Sequence, residues 1–505
     1  MDSAVDISAL DIFQGSVSRI LPELILIATA CVQFLAGPFL VGSQGEAPSG
    51  LRHRWAGLTL IALLFSVVLW NTDPNSTASI GSLYSPFQID GLVWFTRGLT
   101  VAVGVVLLLL GWNQVPDNLA AETYGCLLIT LAGVSLTAAS NDLVYMFLAL
   151  ELVSIPTYVL MYLSRKDAAA QEAVTKYFLL SVFSSALLLF GFSYLYGMTG
   201  STHLLAIQSA LKPVQPYAVP VILIVPTLLI IAALSFRLSA VPFHFYAPDV
   251  FQGTSFLGAA LLAVVPKIVG VVAIIRIFGL LSTTGVISQI GGPALWIAAV
   301  VTMLVGNVFA LLQTNVKRLL AYSSIAHAGY LLVGLAIEQN HSAPVYGVQA
   351  ALFYLAVYGA MTAGVFSILV YLNRADRSME SVGDLAGLSQ THPAAALLMA
   401  IFLFSLTGLP PTAGFLGKLN LFMAAWLEGT PAGRWLAVFM ALNAAIAAWY
   451  YLRLVASMYL DAPAKPVDRS QEVPAFVGVV LCATVTLGLF AVPHWLWQWL
   501  VHISA

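Results

Sequence analysis

Apolar stretches of about 20 residues recur along nearly the whole chain, and this repetition limits the possible folds more than any other feature. A helix needs about 20 mostly apolar residues to cross a bilayer, and fourteen segments of the sequence meet that requirement. They are centred near residues 29, 63, 102, 129, 153, 185, 229, 265, 304, 328, 358, 408, 445 and 486. We therefore predict an all-α polytopic membrane protein with about 14 transmembrane helices.

The composition agrees with this prediction and excludes one class of partner. Of the 505 residues, 60% are hydrophobic and only 8% are charged, whereas soluble domains carry about 25% charged residues. The net charge is −2 and no basic run occurs, so nucleic acid is excluded as a partner. A cleavable signal has a basic segment, then a short apolar segment, then small residues at the cleavage site. The acidic N-terminus lacks this order, and we expect the first span to remain in the mature protein.

No cofactor site is recognisable in the sequence. Cys31, Cys126 and Cys482 lie singly in apolar segments, without CxxC or CxxCH spacing, so the pattern does not indicate an iron–sulfur cluster, a c-type haem or a structural zinc. Neither GxxxxGK[ST] nor GxGxxG after a strand occurs. We expect no cofactor and no metal in this chain, and any redox step must then take place in another subunit.

Proline and glycine interrupt two of the spans. The seventh contains "AVPFHF" and the twelfth "GLPPTAGF", and such breaks are tolerated in a membrane only where protein or water covers them. Pro242 and Pro410 lie 168 residues apart in similar contexts, which predicts an internal repeat of about five helices. We divide the chain into N-terminal helices (1–115), a first repeat (116–280), a second repeat (290–460) and a C-terminal helix (461–505).

The basic residues predict the orientation. Loops after even-numbered spans hold little beyond Lys212, Arg276 and Arg434. Loops after odd-numbered spans hold Arg52, Arg54, Arg165, Lys166, Lys317, Arg318, Arg374, Arg377, Lys465 and Arg469. Because basic residues mark cytoplasmic loops, both termini are predicted to lie on the non-cytoplasmic side.

Three ionisable residues lie near the centres of spans: Glu151 in span five, Lys267 in span eight and Lys418 in span twelve. Each costs about 2.5–3.5 kcal/mol at a helix centre, and together they cost on the order of 8–10 kcal/mol unless paired or hydrated. Glu151 can instead be a structural carboxylate bonded to a neighbouring helix. Snorkelling fits Lys267 poorly, since eight or more apolar residues flank it on either side. Each residue is a candidate for handling protons.

Histidines and several less central ionisable residues are further candidates. His327 and His244 can be proton relays or hydrogen-bonded core residues, and Ser323 lies on the same helical face as His327. Weaker candidates are Glu23, Asp142, Lys176 and Arg453. Lys176 and Asp142 lie near span ends, where snorkelling or capping explains them equally well.

Five segments resemble subunit N of the proton-pumping NADH–quinone oxidoreductase, complex I: "LALELVSIPTYVL", "EAVTKYFLLSVFSSALLLFGFSYLYGMTG", "FRLSAVPFHFYAPDVFQG", "KRLLAYSSIAHAGYLLVG" and "SLTGLPPTAGFLGKLNLF". The resemblance runs from about residue 17 to residue 460. It implies fourteen helices with two inverted five-helix repeats, each supplying a half-channel for protons. By position, Glu151 is similar to the family's helix-five glutamate, Lys267 to its helix-eight lysine, His327 to a connecting relay, and Lys418 to its helix-twelve lysine.

Arg237 departs from this pattern, because the family usually has a lysine in helix seven. A guanidinium group stays protonated inside proteins. We therefore expect Arg237 to act on Glu151 by its charge and not to carry protons itself.

The expected function is proton transfer across a bacterial inner membrane, driven by quinone reduction in partner subunits that hold NADH, FMN, iron–sulfur clusters and quinone. The expected partners are neighbouring antiporter-like and small membrane subunits and the lipid bilayer. Two alternatives remain: a subunit of a multi-subunit Na⁺/H⁺ antiporter, and a scaffold subunit that pumps nothing.

Overall fold

The computed structural model describes residues 17–42, 47–70, 85–165, 167–211, 221–337, 346–373, 379–463, 472–501 and 503. Six basic residues of the orientation prediction lie outside these ranges, namely Lys166, Lys212, Arg374, Arg377, Lys465 and Arg469. The acidic N-terminal tail also lies outside them.

The described ranges contain the fourteen predicted crossings, twelve as continuous helices and two as broken ones. The helices are α1 (Leu21–Leu40), α2 (Leu51–Trp70), α3 (Gly91–Gly111), α4 (Ala120–Ala139), α5 (Leu143–Ser164), α6 (Ala168–Thr199), α7a (Ile224–Arg237), α7b (Ala247–Gly253), α8 (Phe256–Leu281), α9 (Gly292–Leu311), α10 (Val316–Ala336), α11 (Gly347–Leu372), α12a (Pro393–Thr407), α12b (Ala413–Leu427), α13 (Pro431–Leu460) and α14 (Val473–Ala491). The prediction of an all-α polytopic membrane protein is confirmed.

The two breaks occur where proline and glycine predict them. The first separates α7a from α7b, and the second separates α12a from α12b. Gly408 ends α12a with φ +92°, a backbone conformation that favours glycine because it has no Cβ. In the first break, the backbone N–H of Val241 donates to Oγ1 of Thr302 on α9 at 3.0 Å. A neighbouring helix thus satisfies a backbone group that the break leaves free, as membrane burial requires.

Short polar residues begin several of the central helices. The side chains of Asp142, Ser255 and Asn315 accept hydrogen bonds from the first backbone N–H groups of α5, α8 and α10. Such caps satisfy donors that have no partner within the helix. The helices that carry the predicted site are therefore fixed in register at their starts.

The order of helices from α4 to α8 is repeated from α9 to α13. Each series has three continuous helices, one broken helix and one further continuous helix. Because each helix and its counterpart are five crossings apart, an odd number, the second series runs through the membrane in the opposite direction. Gly133 on α4 and Gly306 on α9 both lie against the backbone of the next helix, and their offset is 306 − 133 = 173 residues. The exact domain boundaries remain a prediction.

The helices differ strongly in how much of their surface the rest of the chain covers. The buried share of the most apolar window is 94% in α8, 89% in α10 and 83% in α11, but only 28% in α1 and 33% in α6. The central helices α8, α10 and α11 are thus enclosed by the others. Lys267 and His327 lie on two of these central helices, so their surroundings are protein and not lipid.

Candidate functional site

A carboxylate and a guanidinium group meet where α5 packs against the end of α7a. Nη2 of Arg237 lies 3.5 Å from Oε1 of Glu151, and the hydroxyl of Ser185 donates to the same oxygen at 2.5 Å. Nη1 of Arg237 donates to the hydroxyl of Ser154 at 2.7 Å and to the carbonyl oxygen of Leu150 at 3.2 Å. Arg237 is the last residue of α7a. A guanidinium held by α5 therefore stands at the edge of the first break.

Lys267 lies in the middle of α8, which runs unbroken through Pro266. Its side chain is 1% exposed. Nζ donates to Oγ of Ser324 on α10 at 2.5 Å and lies 5.6 Å from the ring centroid of Tyr358. The hydroxyl of Tyr358 donates to the same Oγ at 2.9 Å. In the described part of the chain, no carboxylate lies within ion-pair distance of this ammonium group.

His327 has a hydroxyl partner on each side of its imidazole ring. Nδ1 is hydrogen-bonded to the hydroxyl of Tyr354, and Nε2 lies 3.0 Å from the hydroxyl of Tyr451. That second hydroxyl is also hydrogen-bonded to Ser323. An imidazole can accept a proton at one nitrogen and release one from the other. Both nitrogens of His327 have partners that make such a transfer possible.

Lys418 is the sixth residue of α12b and reaches back across the second break. Its Nζ donates to the carbonyl oxygens of Leu406 and Thr407 at 2.8 Å and 2.9 Å, and it lies 4.7 Å from the ring centroid of Tyr330. A cation at the C-terminal end of a helix satisfies its last carbonyl groups and its dipole. Lys418 therefore holds the end of α12a in place while facing a tyrosine of α10.

One face of α10 connects the two lysines. Ser324, His327 and Tyr330 follow one another at three-residue spacing, which places them along one side of a helix. The ring of His327 lies 5.1 Å from that of Tyr358, and the ring of Tyr330 lies 6.2 Å from that of Tyr354. We use the name lysine row for Lys267, Ser324, Tyr358, His327, Tyr354, Tyr451, Tyr330 and Lys418.

The Glu151–Arg237 pair stands apart from this row. No hydrogen bond joins it to Lys267 within the described residues. Gly270 lies one helical turn after Lys267 on α8, and a Cβ added there would lie 2.8 Å from Leu238 and 3.6 Å from Cβ of Arg237. The pair can thus influence Lys267 through its charge across a short apolar contact.

A cluster of charged side chains surrounds α7b at one membrane face. Asp249 accepts from Lys176 at 2.7 Å and from Arg318 at 2.7 Å. Nζ of Lys176 also lies 2.6 Å from Glu172, and Arg318 donates to Gln252 at 3.0 Å. We use the name Asp249 face for this side of the molecule and Asp90 face for the opposite side. Lys176 belongs to the Asp249 face, and within the described part of the chain no hydrogen bond or ion pair joins it to the lysine row.

Lys317 adds further polar contacts on the Asp249 face. It donates to the carbonyl oxygen of Thr254 at 3.0 Å and lies 3.5 Å from Glu380. Arg165 lies 3.9 Å from the same carboxylate. Three basic residues of the orientation prediction, Arg165, Lys317 and Arg318, thus meet on one face.

His244 lies in the stretch between α7a and α7b, as predicted, but away from the lysine row. Its imidazole is half-buried and lies beside the ring of Phe245, at 6.4 Å between centroids. No hydrogen bond of the lysine row reaches it within the described residues. A role for His244 as a relay remains a prediction.

Glu23 is deeply buried and has a partner that the sequence did not indicate. Arg97 on α3 donates to its two carboxylate oxygens at 2.7 Å and 2.8 Å and to the carbonyl oxygen of Arg19 at 2.6 Å. The pair joins α1 to α3, outside the central helices. Its geometry fits a link between two helices.

Two further weak candidates lie at helix ends. Asp142 accepts from the backbone N–H groups of Val144 and Tyr145 at the start of α5, which is the capping alternative of the sequence argument. Arg453 donates to the carbonyl oxygens of Leu311 and Gln313, where α9 ends. Both residues satisfy backbone groups, and no hydrogen bond among the described residues joins either side chain to the lysine row.

The sequence did not predict a buried pair of amides, which Asn307 and Asn443 form. Nδ2 of Asn307 donates to Oδ1 and to the carbonyl oxygen of Asn443 at 3.1 Å and 3.2 Å, and the hydroxyl of Tyr450 donates to Oδ1 of Asn307 at 3.0 Å. The rings of Tyr450 and Tyr451 are 4.4 Å apart. The amides therefore hold a tyrosine next to the one that contacts His327.

The helix repeat is the signal that reveals these amides. Asn443 follows Lys267 by 443 − 267 = 176 residues, and His327 follows Glu151 by the same 327 − 151 = 176 residues. Asn443 is the thirteenth residue of α13, and Lys267 is the twelfth residue of α8. Comparing residues of the two helix series at a constant difference in number points to Asn443, whereas looking for charged residues within spans does not.

The groups that the site brings together are ones that exchange protons: two amines, an imidazole, a carboxylate and several hydroxyls. Within the described residues there is no group of three or more His, Cys, Asp or Glu side chains that could hold a metal ion. The three cysteines are not paired in disulfides.

Comparison with known sequences gives the family. A sequence model of the family described as "NADH:quinone oxidoreductase/Mrp antiporter, TM" matches residues 140–446. NADH-quinone oxidoreductase subunit N 1 from Solibacter usitatus is 35% identical over 495 residues, which cover 96% of this chain and 97% of that protein. The chain belongs to the NADH-quinone oxidoreductase subunit N family. Subunit N from Rhodospirillum rubrum is 34% identical over 477 residues and covers 94% of both chains.

Solved structures agree with membership of the subunit N family. A chain of respiratory complex I from Thermus thermophilus with bound aureothin matches with 27% identity and a TM-score of 0.76, covering 94% of this chain and 98% of that one. A chain of an Mrp complex from Dietzia has 21% identity and a TM-score of 0.77. The second likeness establishes a shared fold. The first agrees with a multi-pass membrane protein that is one subunit of a larger assembly.

Proposed function

We propose that this chain moves protons across the membrane as a subunit of NADH-quinone oxidoreductase, with quinone reduction in other subunits as the driving reaction. The observation that carries the proposal is the lysine row. Two buried ammonium groups lie on either side of a doubly hydrogen-bonded histidine, in the most enclosed part of the molecule. Residues of this kind inside a membrane protein typically mark ion pathways and proton relays.

The row supplies short transfers between its members. Lys267 gives a proton to Oγ of Ser324, which at the same time releases its own hydroxyl proton to the hydroxyl oxygen of Tyr358. In a second hydrogen-bonded group, His327 accepts a proton at one ring nitrogen from the hydroxyl of Tyr354 or Tyr451 and releases one from the other nitrogen to the opposite hydroxyl. The rings of Tyr358 and His327 lie 5.1 Å apart, and transfer between the two groups requires a water molecule or a side-chain movement between these rings. A buried ammonium group without a carboxylate partner exchanges its proton readily, because no opposite charge compensates for its lost hydration.

The Glu151–Arg237 pair sets when Lys267 gives up its proton. Arg237 stays charged. Its distance from Glu151 therefore decides how far the carboxylate cancels the positive electrostatic potential that Arg237 produces at Lys267 across Gly270. Its place at the last residue of α7a, next to the break, allows it to move without unwinding a continuous helix. A conformational change in the rest of the complex can thus act on the lysine row by moving the side chain of Arg237.

The proposal is tested by two substitutions of Lys267. Lys267→Ala removes the amine, and Lys267→Arg keeps a charge and donors but cannot release a proton. In inverted membrane vesicles, we expect both variants to lower the number of protons moved per NADH oxidised. The amount of assembled complex is measured alongside by co-purification of the partner subunits.

Lys317→Arg is the matched control, because Lys317 is also a buried lysine but lies on the Asp249 face. It should assemble and pump normally. Full pumping by assembled Lys267→Ala complex would contradict the proposal and favour a scaffold role. Sodium movement that replaces proton movement in the same vesicles would favour the Na⁺/H⁺ antiporter alternative; the matched family description also names an antiporter.

A further inference from the structure

A short helix follows the last crossing and has two unlike sides. This helix, α15 (Pro493–Val501), has the sequence "PHWLWQWLV". Leu496 and Leu500 are buried, whereas Trp495 and Trp499 are 60% and 44% exposed. Residues four positions apart share one side of a helix, so leucines face the protein and tryptophans face away from it. A helix with such sides lies along the surface of a bilayer.

Tryptophan rings from three helices gather beside α15. The ring of Trp70, at the end of α2, lies 5.2 Å from that of Trp94 on α3 and 6.3 Å from that of Trp499. The ring of Trp497 lies 6.1 Å from that of Phe353 on α11. Tryptophan is typical of the level at which lipid headgroups meet the acyl chains. The cluster therefore lies at headgroup level.

The tryptophan rings border a cavity of about 570 Å³. Gly91, the first residue of α3, belongs to its lining and directly follows Asp90, so the cavity lies at the Asp90 face. The side chains that line it are Trp94, His494, Trp497, Gln498, Trp499 and Val501. His494, Trp499 and Val501 are exposed, and the cavity is thus open to the surroundings of the protein. Its volume is in the range of cavities that bind small molecules.

The lining indicates the charge of the group that this cavity binds. Within the described residues no Lys, Arg, Asp or Glu lines it, so a headgroup that carries only negative charge finds no counterion there. The rings of Trp94, Trp497 and Trp499, by contrast, attract a cation to their faces, and tryptophan is the best of the aromatic residues for this interaction. The lining therefore favours an ammonium group.

A histidine in the lining can bind the phosphate that accompanies an ammonium group in a lipid. Nε2 of Gln498 lies 2.6 Å from Nε2 of His494. Since an amide nitrogen donates and does not accept, Nε2 of His494 is the acceptor and its Nδ1 carries the ring hydrogen. His494 thus offers an N–H donor to a phosphate oxygen, beside rings that attract the ammonium group.

Exposed apolar side chains lead from the tryptophan cluster into the membrane. Ile61, Leu64, Phe65 and Val68 are 49–64% exposed, and their spacing places them on one side of α2. This helix ends at Trp70, whose ring meets those of the cluster. A surface for an acyl chain is therefore continuous with a cavity for a headgroup.

We propose that this cavity binds a phospholipid with an amine headgroup, of the phosphatidylethanolamine type. The ammonium group lies on the tryptophan rings, the phosphate lies at His494, and an acyl chain follows the exposed side of α2. The bound lipid joins α15 to α2 and α3. The site lies outside the lysine row, and neither the site nor its test depends on proton transfer.

The experiment uses the intact complex in vesicles that contain equal amounts of phosphatidylethanolamine and phosphatidylglycerol. The photoreactive residue p-benzoylphenylalanine replaces either Val501 in the cavity lining or Leu35, which is 70% exposed on α1 and outside the lining. After illumination, mass spectrometry identifies the lipids attached at each position. A cation–π contact at an exposed site corresponds to about a two- to fivefold preference. We expect phosphatidylethanolamine to exceed phosphatidylglycerol by that factor at Val501, and the two lipids to be equal at Leu35.

Two double variants test the rings themselves. Trp94→Leu with Trp499→Leu removes two aromatic faces, and the lipid ratio at Val501 should fall to that at Leu35. Trp94→Phe with Trp499→Phe keeps aromatic faces and should keep the preference. The matched control is Trp435→Leu, because Trp435 is exposed near the start of α13 on the same face but does not line the cavity. This control should leave the ratio at Val501 unchanged.

Three results would overturn the proposal. The first is equal labelling by the two lipids at Val501, or an excess of phosphatidylglycerol. The second is a preference that persists in the leucine double variant. The third is the absence of lipid at Val501 while Leu35 is labelled, including attachment of a protein subunit there, since a neighbouring chain would then cover the cavity.

Discussion

The close contact of α9 with α10 gives the sharpest test of the lysine row. Gly306 on α9 lies directly against Ala326, the residue before His327. A Cβ added at Gly306 would lie 2.5 Å from the backbone nitrogen of Ala326 and 2.8 Å from its Cα. Ordinary van der Waals contact begins at 3.4 Å, so Gly306→Ala requires α9 and α10 to move apart by about 3.4 − 2.5 = 0.9 Å. The atoms that the new Cβ meets belong to the backbone, and they cannot rotate away as a side chain can.

The consequence for the row follows from the distances. A shift of about 0.9 Å in α10 can lengthen the contact between Lys267 and Ser324 from 2.5 Å to about 3.4 Å, near the limit of a hydrogen bond. Overpacking of this kind costs about 1–3 kcal/mol, which is too little to unfold a chain of this size. A misplacement of about 1 Å, by contrast, can slow a reaction about 10²-fold.

We therefore expect Gly306→Ala to assemble into the complex and to move fewer protons per NADH oxidised in inverted vesicles. The matched control is Gly279→Ala on α8, where an added Cβ meets nothing within 4 Å. That variant should pump normally, and its helix should be slightly more stable because alanine has a better helix propensity than glycine. If Gly306→Ala and Gly279→Ala pump equally well, the position of α10 does not govern proton transfer and the reasoning is wrong.

Three further predictions follow from other contacts. Arg237→Lys should keep pumping, since it keeps a positive charge beside Glu151, and Arg237→Ala should weaken it; unchanged proton movement in the alanine variant contradicts the electrostatic role. Arg97→Met leaves Glu23 buried without its partner, which costs about 3–5 kcal/mol, so thermal denaturation of the purified complex should begin at lower temperature. Asn443→Leu removes the Oδ1 acceptor and leaves Nδ2 of Asn307 only the backbone carbonyl oxygen of residue 443 at 3.2 Å; we expect a loss of about 1–3 kcal/mol, and a second change, Asn307→Leu, should restore part of the lost thermal stability if the amides act as a pair.

Much of the architecture follows from the sequence because a bilayer imposes simple rules. The length of each apolar segment predicts a crossing, and "AVPFHF" and "GLPPTAGF" predict the two breaks because proline and glycine cannot continue a helix there. Both predictions are confirmed by α7a–α7b and α12a–α12b. The same rules place Glu151, Lys267 and Lys418 at helix centres, where a charge is too costly to be accidental.

The partners of these residues could not be predicted in the same way. Ser324, Tyr358 and Tyr354 are ordinary residues of membrane helices, and only the packing of α8, α10 and α11 brings them to Lys267 and His327. Arg97 was missed as the partner of Glu23, because 74 residues separate them. Sequence spacing describes contacts within one helix, whereas these contacts join helices.

The amide pair of Asn307 and Asn443 gives the two halves of the molecule a difference that their helix order conceals. Asn443 is the thirteenth residue of α13 and Lys267 the twelfth of α8, and the side chain of Asn443 is neutral at every pH of interest. The two series of helices therefore differ in charge although their helix order is the same. Under the proposed function, a proton that enters from one membrane face meets charged and neutral side chains in a different order from a proton that enters from the other face.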